Sequence, residues 1–350
     1  PNIDSLLDDF VNTSIQERES ILESKKTYED RRNRFLDHLM SRFAEQFTDY
    51  VMLMYTMDKQ KAPSELIKDK ITFLSDYDEI SYNRGKAFNY KNSSELWDTK
   101  NVTGLERRVS RLLGIENYER KTLWNCIPES FEIIEDSGDH WFQMSDSEAN
   151  VLLVGKTKYG SPKEVREEIR SVIIPGIDPD NYEISKTGGK YQIKLKDDGG
   201  EVIADLKKPL DSDPEAEEKL ELILKIMNDS IYECEGFHVI EHILLRPREK
   251  PVNPMTDDYQ LMNVCVDEDC DSCLGFKDPY SFRVTAVMPY WLVRFRNMDF
   301  RKYFESAIRM EAPAHVHVKI CWVTEEHMKA FEKAYKDWLE EISKKPDERT

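Results

Sequence analysis

The sequence predicts a multidomain α+β protein: an N-terminal helical region, a tandem pair of β-β-β-α repeats and a C-terminal two-layer α+β module. Three observations carry this expectation. Apolar residues recur at helical spacing near the start, a gapless self-similarity at a shift of 51 positions fills the middle, and strand and helix patterns alternate at the end. The expected boundaries are 1–75 for the helical region, 76–125 for an irregular loop with a short helix, 126–230 for the repeats and 231–350 for the last module. A length of 350 residues calls for more than one domain in any case.

In the first region Phe35, Leu39, Phe43, Phe47, Val51 and Met54 form the expected apolar stripe, with Arg31, Arg32, Asp37 and Glu45 turned elsewhere. Pro63 and Ser64 open a shorter helix carrying Leu66, Ile67, Ile71 and Leu74. From Asp76 to Asn101 the periodicity fails. The aromatic residues scattered through that polar stretch predict an ordered loop pinned to a surface. Thr103 and Glu106 then make a capping-box pair at the start of a helix whose core face is Leu105, Val109, Leu112 and Leu113, and Gly114 stops it.

Residues 131–173 align with 182–224 with nine identities in 43 pairs, among them Gly138 with Gly189, Asp146 with Asp197 and Ser161 with Ser212. Phe142 and Met144 match Ile193 and Leu195, while Ile169, Val172 and Ile173 match Leu220, Ile223 and Leu224. Each copy reads as three strands and an amphipathic helix. One copy is too small to bury its sheet face alone, so the two are expected to pack as a pseudo-symmetric pair. In the last module Ser281–Met288 and His315–Val323 alternate as strands. Between them lies a helix with Phe300, Phe304, Ala307 and Ile308 on one face. Thr324 caps a final helix striped by Met328, Phe331, Tyr335, Trp338, Leu339 and Ile342.

Charge narrows the function classes. Lys+Arg number 50 and Asp+Glu 68, a net charge of −18. Nucleic-acid affinity depends on cationic side chains displacing counterions, so no nucleic-acid partner is expected. No stretch approaches the roughly 18 apolar residues of a membrane-spanning helix, so no membrane insertion is expected. Six cysteines are too few for a disulfide scaffold and point to a reducing, cytoplasmic compartment. Asn-x-Ser/Thr at Asn12, Asn92 and Asn101 then reads as chance. The start, PNIDSLLDDF, has neither Met nor a signal-peptide pattern and reads as a piece of a longer or trimmed chain.

Two constellations have chemical spacing. His238-Val-Ile-Glu241-His242 matches the zinc signature of inverted metalloproteases, in which a helix puts both imidazoles on one face and the Glu activates water. Gly236 before it and Pro247 after it make a strand or short helix an equally good reading, with the histidines structural. A third, acidic ligand is required, for which Glu305 and Glu311 are available. The second constellation is Cys265, Cys270 and Cys273, three thiolates suited to a structural zinc site that Cys234, Cys321, His238 or His242 would complete. An ordinary reduced loop fits the same residues. The sequence has no dinucleotide fingerprint, P-loop or nucleophile elbow. His315 and His317 share a strand face without a third ligand. Tyr290, Trp291, Arg294 and Arg296 are candidate contact residues, of types enriched at interface hot spots, while the weakly alternating run 289–297 fits burial under the last helix equally well.

Three stretches together, RRNRFLDHLMSRFAEQF (31–47), GFHVIEHILLRPR (236–248) and the run from Asp278 to Val323, resemble segments of baseplate components of bacterial phage-tail-like contractile injection systems, akin to the wedge proteins of contractile phages. The central repeat looks like a tandem unit of small bacterial proteins of unknown function, inserted between them. The resemblance implies a non-enzymatic structural subunit without catalytic residues or cofactor, assembled in the cytoplasm into a particle with other baseplate, sheath or spike subunits. A zinc-dependent peptidase built on His238, Glu241 and His242, and a peptide-binding module using the repeat's sheet edges, are the alternatives.

Overall fold

The computed structural model describes residues 23–45, 62–249, 260–262 and 278–344. The chain divides into two compact units, residues 1–83 and 84–350. The first unit therefore runs past the expected boundary at 75, because a further helix follows it, and the three later regions share the second unit.

In the first unit α1 (Lys25–Ser41) packs on α2 (Ala62–Ser75), which leads into α3 (Tyr77–Tyr82). Ser24 caps α1, its Oγ accepting from Thr27 N. The buried positions are Leu36 and Met40 of α1 and Leu66, Ile67 and Phe73 of α2. Phe35 is 59% exposed and Phe43 is exposed as well, so the expected stripe is one residue out of phase. The cause is Lys70, buried on α2, whose Nζ reaches Asp37 Oδ1 at 2.7 Å and Asn33 Oδ1 at 3.3 Å. That pairing turns the Asn33–Leu36–Met40 face inward. Phe47, Val51 and Met54 lie outside the described residues.

The repeats give the second unit its largest sheet. Strands β1 (Phe131–Asp136), β2 (Asp139–Ser145) and β3 (Val151–Gly155) precede α5 (Pro162–Gly176). Strands β4 (Tyr182–Thr187), β5 (Lys190–Lys196) and β6 (Val202–Leu206) precede α6 (Asp213–Glu233). Helix α4 (Gly104–Leu112) precedes β1 in the chain. Every repeat strand begins and ends at the same offset of 51, as do the N-caps Ser161 and Ser212. The hairpins turn at Ser137–Gly138 and Gly188–Gly189, all with positive φ, the backbone a two-residue hairpin loop needs. Asp146 Oδ1 accepts from the N–H of Glu148 and Asn150, and Asp197 Oδ1 does the same for Gly199 and Glu201.

The sheet order is β1-β2-β3-β6-β5-β4, all antiparallel. Leu153 pairs with Leu206, Val154 with Asp205 and Gly155 with Ala204, so a pseudo-two-fold axis passes beside Val154 and Asp205. The outer bonds obey it too: Lys156 N donates to Ile203 O, and Lys207 N to Leu152 O. Helices α5 and α6 cover one face, burying Phe142, Met144, Ile193, Leu195, Ile169 and Ile223 in a shared core.

Around this domain lies the rest of the unit. The segment after Arg84 is pinned as expected: Asn101 bonds the main chain of Asn89 and Glu95, and Phe88 and Leu96 are buried. Thr103 caps α4 through Glu106 N at 3.1 Å. The C-terminal module begins with β7 (His238–Glu241), a one-turn α7 (His242–Leu245) and a small β8 (Arg248–Glu249)/β9 (Gln260–Leu261) pair. It continues with β10 (Arg283–Pro289), α8 (Val293–Arg296), α9 (Met298–Glu311), β11 (His317–Val323) and α10 (Glu325–Ser343). Strands β10 and β11 are parallel, joined through α9, and β7 lies antiparallel to β10. Phe300, Phe304, Ala307 and Ile308 of α9 are buried as the spacing predicts, and Tyr335, Leu339 and Ile342 of α10 pack on Phe88 and Leu96.

Candidate functional site

The metalloprotease-like motif lies on a strand. His238 through Glu241 form β7, with His238 opposite Val287 and Glu241 opposite Val284 of β10, and His242 begins the one-turn α7. His238 is 1% exposed; its Nε2 lies 3.1 Å from Glu332 Oε1, and the same oxygen accepts from Leu123 N at 2.8 Å. Trp97, Phe331 and Tyr335 surround the imidazole. Burial holds its pKa below the usual histidine value, against the pull of Glu332. His242 Nε2 instead meets Thr285 Oγ1 at 2.7 Å, and Glu241 Oε1 accepts from Phe88 N. The two histidines are therefore anchored to different elements. The acidic residues available as a third ligand are committed too. Glu305 accepts from Trp322 Nε1 and Arg309, and Glu311 from Arg108 and Arg84. The helix with two imidazoles on one face, which the peptidase reading requires, is absent.

Around His238 lies a polar cluster that periodicity did not reveal. Arg120 is buried with its guanidinium 4.0 Å from the Phe88 ring centroid and 5.5 Å from that of Tyr335, and it donates to Leu96 O. Burial pushes the Glu106 carboxyl up to about 7 against the pull of Arg120. Tyr335 Oη donates to Val239 O. Glu106, Arg120, His238 and Glu332 are all buried, so the cluster is a polar core that seats the loop after Arg84 against α10 and is sealed from a substrate. The sequence signal for it was weak: Glu332 interrupts the apolar stripe of the last helix on its buried side.

Cys265, Cys270 and Cys273 lie outside the described residues. Cys234 is not free to complete a zinc site, because it is disulfide-bonded to Cys126. That bond also departs from the expectation of uniformly reduced cysteines. Cys321, on β11, is a free, half-buried thiol. Among the described residues no group of three His, Cys, Asp or Glu is placed to hold a metal ion.

The hot-spot quartet splits. Tyr290 and Arg296 are exposed, and Met298 beside them is too. Trp291 is 5% exposed and Arg294 1%: both belong to the interior. Arg294 forms a two-pronged ion pair with buried Glu235, with Nε 2.7 Å from Oε1, and NH1 donates to Leu113 O. Trp291 lies under Arg170 of α5 at 5.5 Å. The residue types that favour interfaces between proteins here make one between domains.

The repeat domain leaves its host between Cys126 and Cys234, whose Cα atoms are 5.7 Å apart across a sequence separation of 108. Glu235, the next residue, is held by Arg294. Beside this neck Glu325, at the start of α10, accepts from Arg166 and Arg170 of α5. Arg166 and Lys329 both sit over the Trp124 ring, at 5.2 and 4.6 Å from its centroid. The disulfide thus closes the two chain segments of the neck, Arg294 holds the residue that follows it, and the Glu325 ion pairs, together with Arg170 stacked on Trp291, join the repeat domain to the C-terminal module. Cys126 and Cys234 bracket the repeat in the sequence, and that bracketing was the available signal.

No family model matches the chain, and no curated protein matches it. Among solved structures, the solution NMR structure of a UPF0339 protein from Shewanella oneidensis is similar at 15% identity, covering 27% of this chain and 80% of that one with a TM-score of 0.25. The fold defines the class: a multidomain α+β protein. Among its described residues no helix is long and apolar enough to cross a membrane.

Proposed function

We propose that the protein is a non-enzymatic assembly subunit of the baseplate type, acting through protein–protein surfaces within a phage-tail-like contractile particle put together in the cytoplasm. The observation that carries this reading is the neck. Cys126–Cys234 closes it, Arg294–Glu235 is buried beside it, and the Glu325 contacts seat α5 of the repeat domain against α10, an arrangement suited to a part that positions neighbours. The side chains with catalytic spacing are consumed by internal packing, which agrees with it. Other baseplate, sheath or spike subunits are the partners this reading names.

The test is a gentle pull-down of the tagged protein from the cells that make it, with co-purifying proteins identified by mass spectrometry. Sheath, tube and spike proteins are expected. Recovery alone, or with unrelated enzymes, overturns the reading.

A further inference from the structure

A groove of about 590 Å³ opens between the start of β1, the β2–β3 loop and the C-terminal half of α6. Glu129, Glu132, Asp146, Asp229 and Glu233 contribute five carboxylates to its lining, Phe131 and Ile226 add apolar surface, and no Lys or Arg lines it. Burial pushes the Glu233 carboxyl up, and the charges of Glu129 and Asp229 add to the push, against a hydrogen bond from Glu129 N and the charge of Lys121. The carboxylates do not converge on one point: no set of three such side chains among the described residues is placed to hold a metal ion.

The pseudo-two-fold axis supplies an internal comparison. Glu132 of β1 corresponds to Glu183 of β4. In the second repeat Lys196 Nζ lies 2.9 Å from Glu183 Oε2, and Lys194 stands opposite Glu183 across the strand pair. The hydrogen bond from Lys196 and the charges of both lysines hold the Glu183 carboxyl below its usual range. In the first repeat the corresponding residues are Ser145 and Gln143, on the same backbone down to the register shift at Met144/Ser145 and Leu195/Lys196. The first repeat keeps the carboxylate and lacks both cations, and no ion pair reaches Glu132 among the described residues.

We propose that this groove receives a lysine-bearing segment of a partner protein, with a lysine ammonium on Glu132 as Lys196 sits on Glu183 within the second repeat. The groove holds a few side chains of an extended segment and not a folded domain. The net charge of −18 draws a basic segment toward it. The proposal stands whether or not the assembly is a baseplate.

The experiment is fluorescence anisotropy of a labelled lysine–alanine peptide on the full chain, with a glutamate–alanine peptide as control. The wild type is expected to bind the lysine peptide alone. Glu132 is exposed, so Glu132→Gln should weaken binding by about two- to fivefold, the share of one solvent-screened ion pair. Ser145→Lys supplies from within the cation that the second repeat already has and should weaken binding at least as much as Glu132→Gln. Asp198→Asn removes the same charge from a loop of the second repeat and should leave binding unchanged. Thermal melts check each fold, and if Ser145→Lys does not fold, Glu132→Gln decides. No binding by the wild type, or equal binding by wild type, Glu132→Gln and Asp198→Asn, overturns the proposal. So does displacement of the peptide by stoichiometric calcium.

Discussion

The ring of Phe142 fills the space that a side chain at Gly155 would take: a Cβ there would lie 2.6 Å from two of its ring carbons. The residues meet across β2 and β3 in the shared core, and their counterparts, Ile193 and Leu206, divide the same volume the other way. The two repeats are thus equal in packing while differing in sequence.

Gly155→Ala should therefore destabilise the protein by about 1–3 kcal/mol, the cost of overpacking against a ring that has nowhere to move. Phe142→Ile alone leaves a cavity and should also destabilise. Phe142→Ile combined with Gly155→Leu restores the division seen in the second repeat and should cost less than the two single changes together. Chemical denaturation of all variants measures the coupling, and strict additivity would mean that the two side chains do not share one volume.

The neck cystine should contribute to stability mainly by restricting the unfolded chain. It closes a loop with a sequence separation of 108, for which chain entropy allows up to about 4.7 kcal/mol. Cys126→Ser is expected to lower the melting temperature, and reductant to lower that of the wild type and leave the variant alone. Peptide mapping without reduction should recover Cys126 linked to Cys234. Finding both alkylated in native, unreduced protein would remove the bond from the account.

Glu106 should make stability fall as the solution is made alkaline. Its folded pKa of about 7 lies above the ordinary 4.5 because burial disfavours the charge. The folded state therefore holds this proton more tightly than the unfolded state. Its contribution is fully present below the unfolded pKa, is lost as pH rises through the folded value, and is flat above it. Glu106→Gln stays neutral throughout, so its stability relative to wild type should rise by roughly 2 kcal/mol between about pH 5 and about pH 8. Denaturation at the two pH values reads this directly, and a constant difference would count against a buried, titrating Glu106.

Removing Arg294 should be severe, because it leaves the Glu235 carboxylate buried without its counter-charge. Arg294→Met is expected to cost about 3–5 kcal/mol. Adding Glu235→Leu should recover much of it, since an apolar pair of similar volume avoids the desolvation of both charges. Chemical denaturation of the single and double variants separates a buried pair from a surface one, which would show little change in either.

Local chemistry was legible in the sequence and long-range pairing was not. The repeats, their hairpins and the caps at Thr103, Ser161, Ser212 and Thr324 depend on neighbours within a few residues, and their spacing states them. The phase of α1 depends on Lys70, more than thirty positions away, so the stripe through Phe35 misread it. His238 and His242 show helical spacing, yet β10 pairs with the segment and makes it a strand. Trp291 and Arg294 have the composition of an interface, but their partners, Arg170 and Glu235, lie in or beside the repeat domain. In each case the deciding group is distant in the chain, and a single sequence does not say which distant charge meets which.

Where the chain departs from the host and returns within 5.7 Å, the repeat domain makes no demand on the path of the backbone on either side. Residues 127–233 begin and end at neighbouring points, so a short turn from 126 to 234 would span the gap they leave. With the disulfide closing that neck and Glu325 bonded across it to Arg166 and Arg170, a chain shortened by residues 127–233 would lose the Glu325 contacts together and keep its own ends in register.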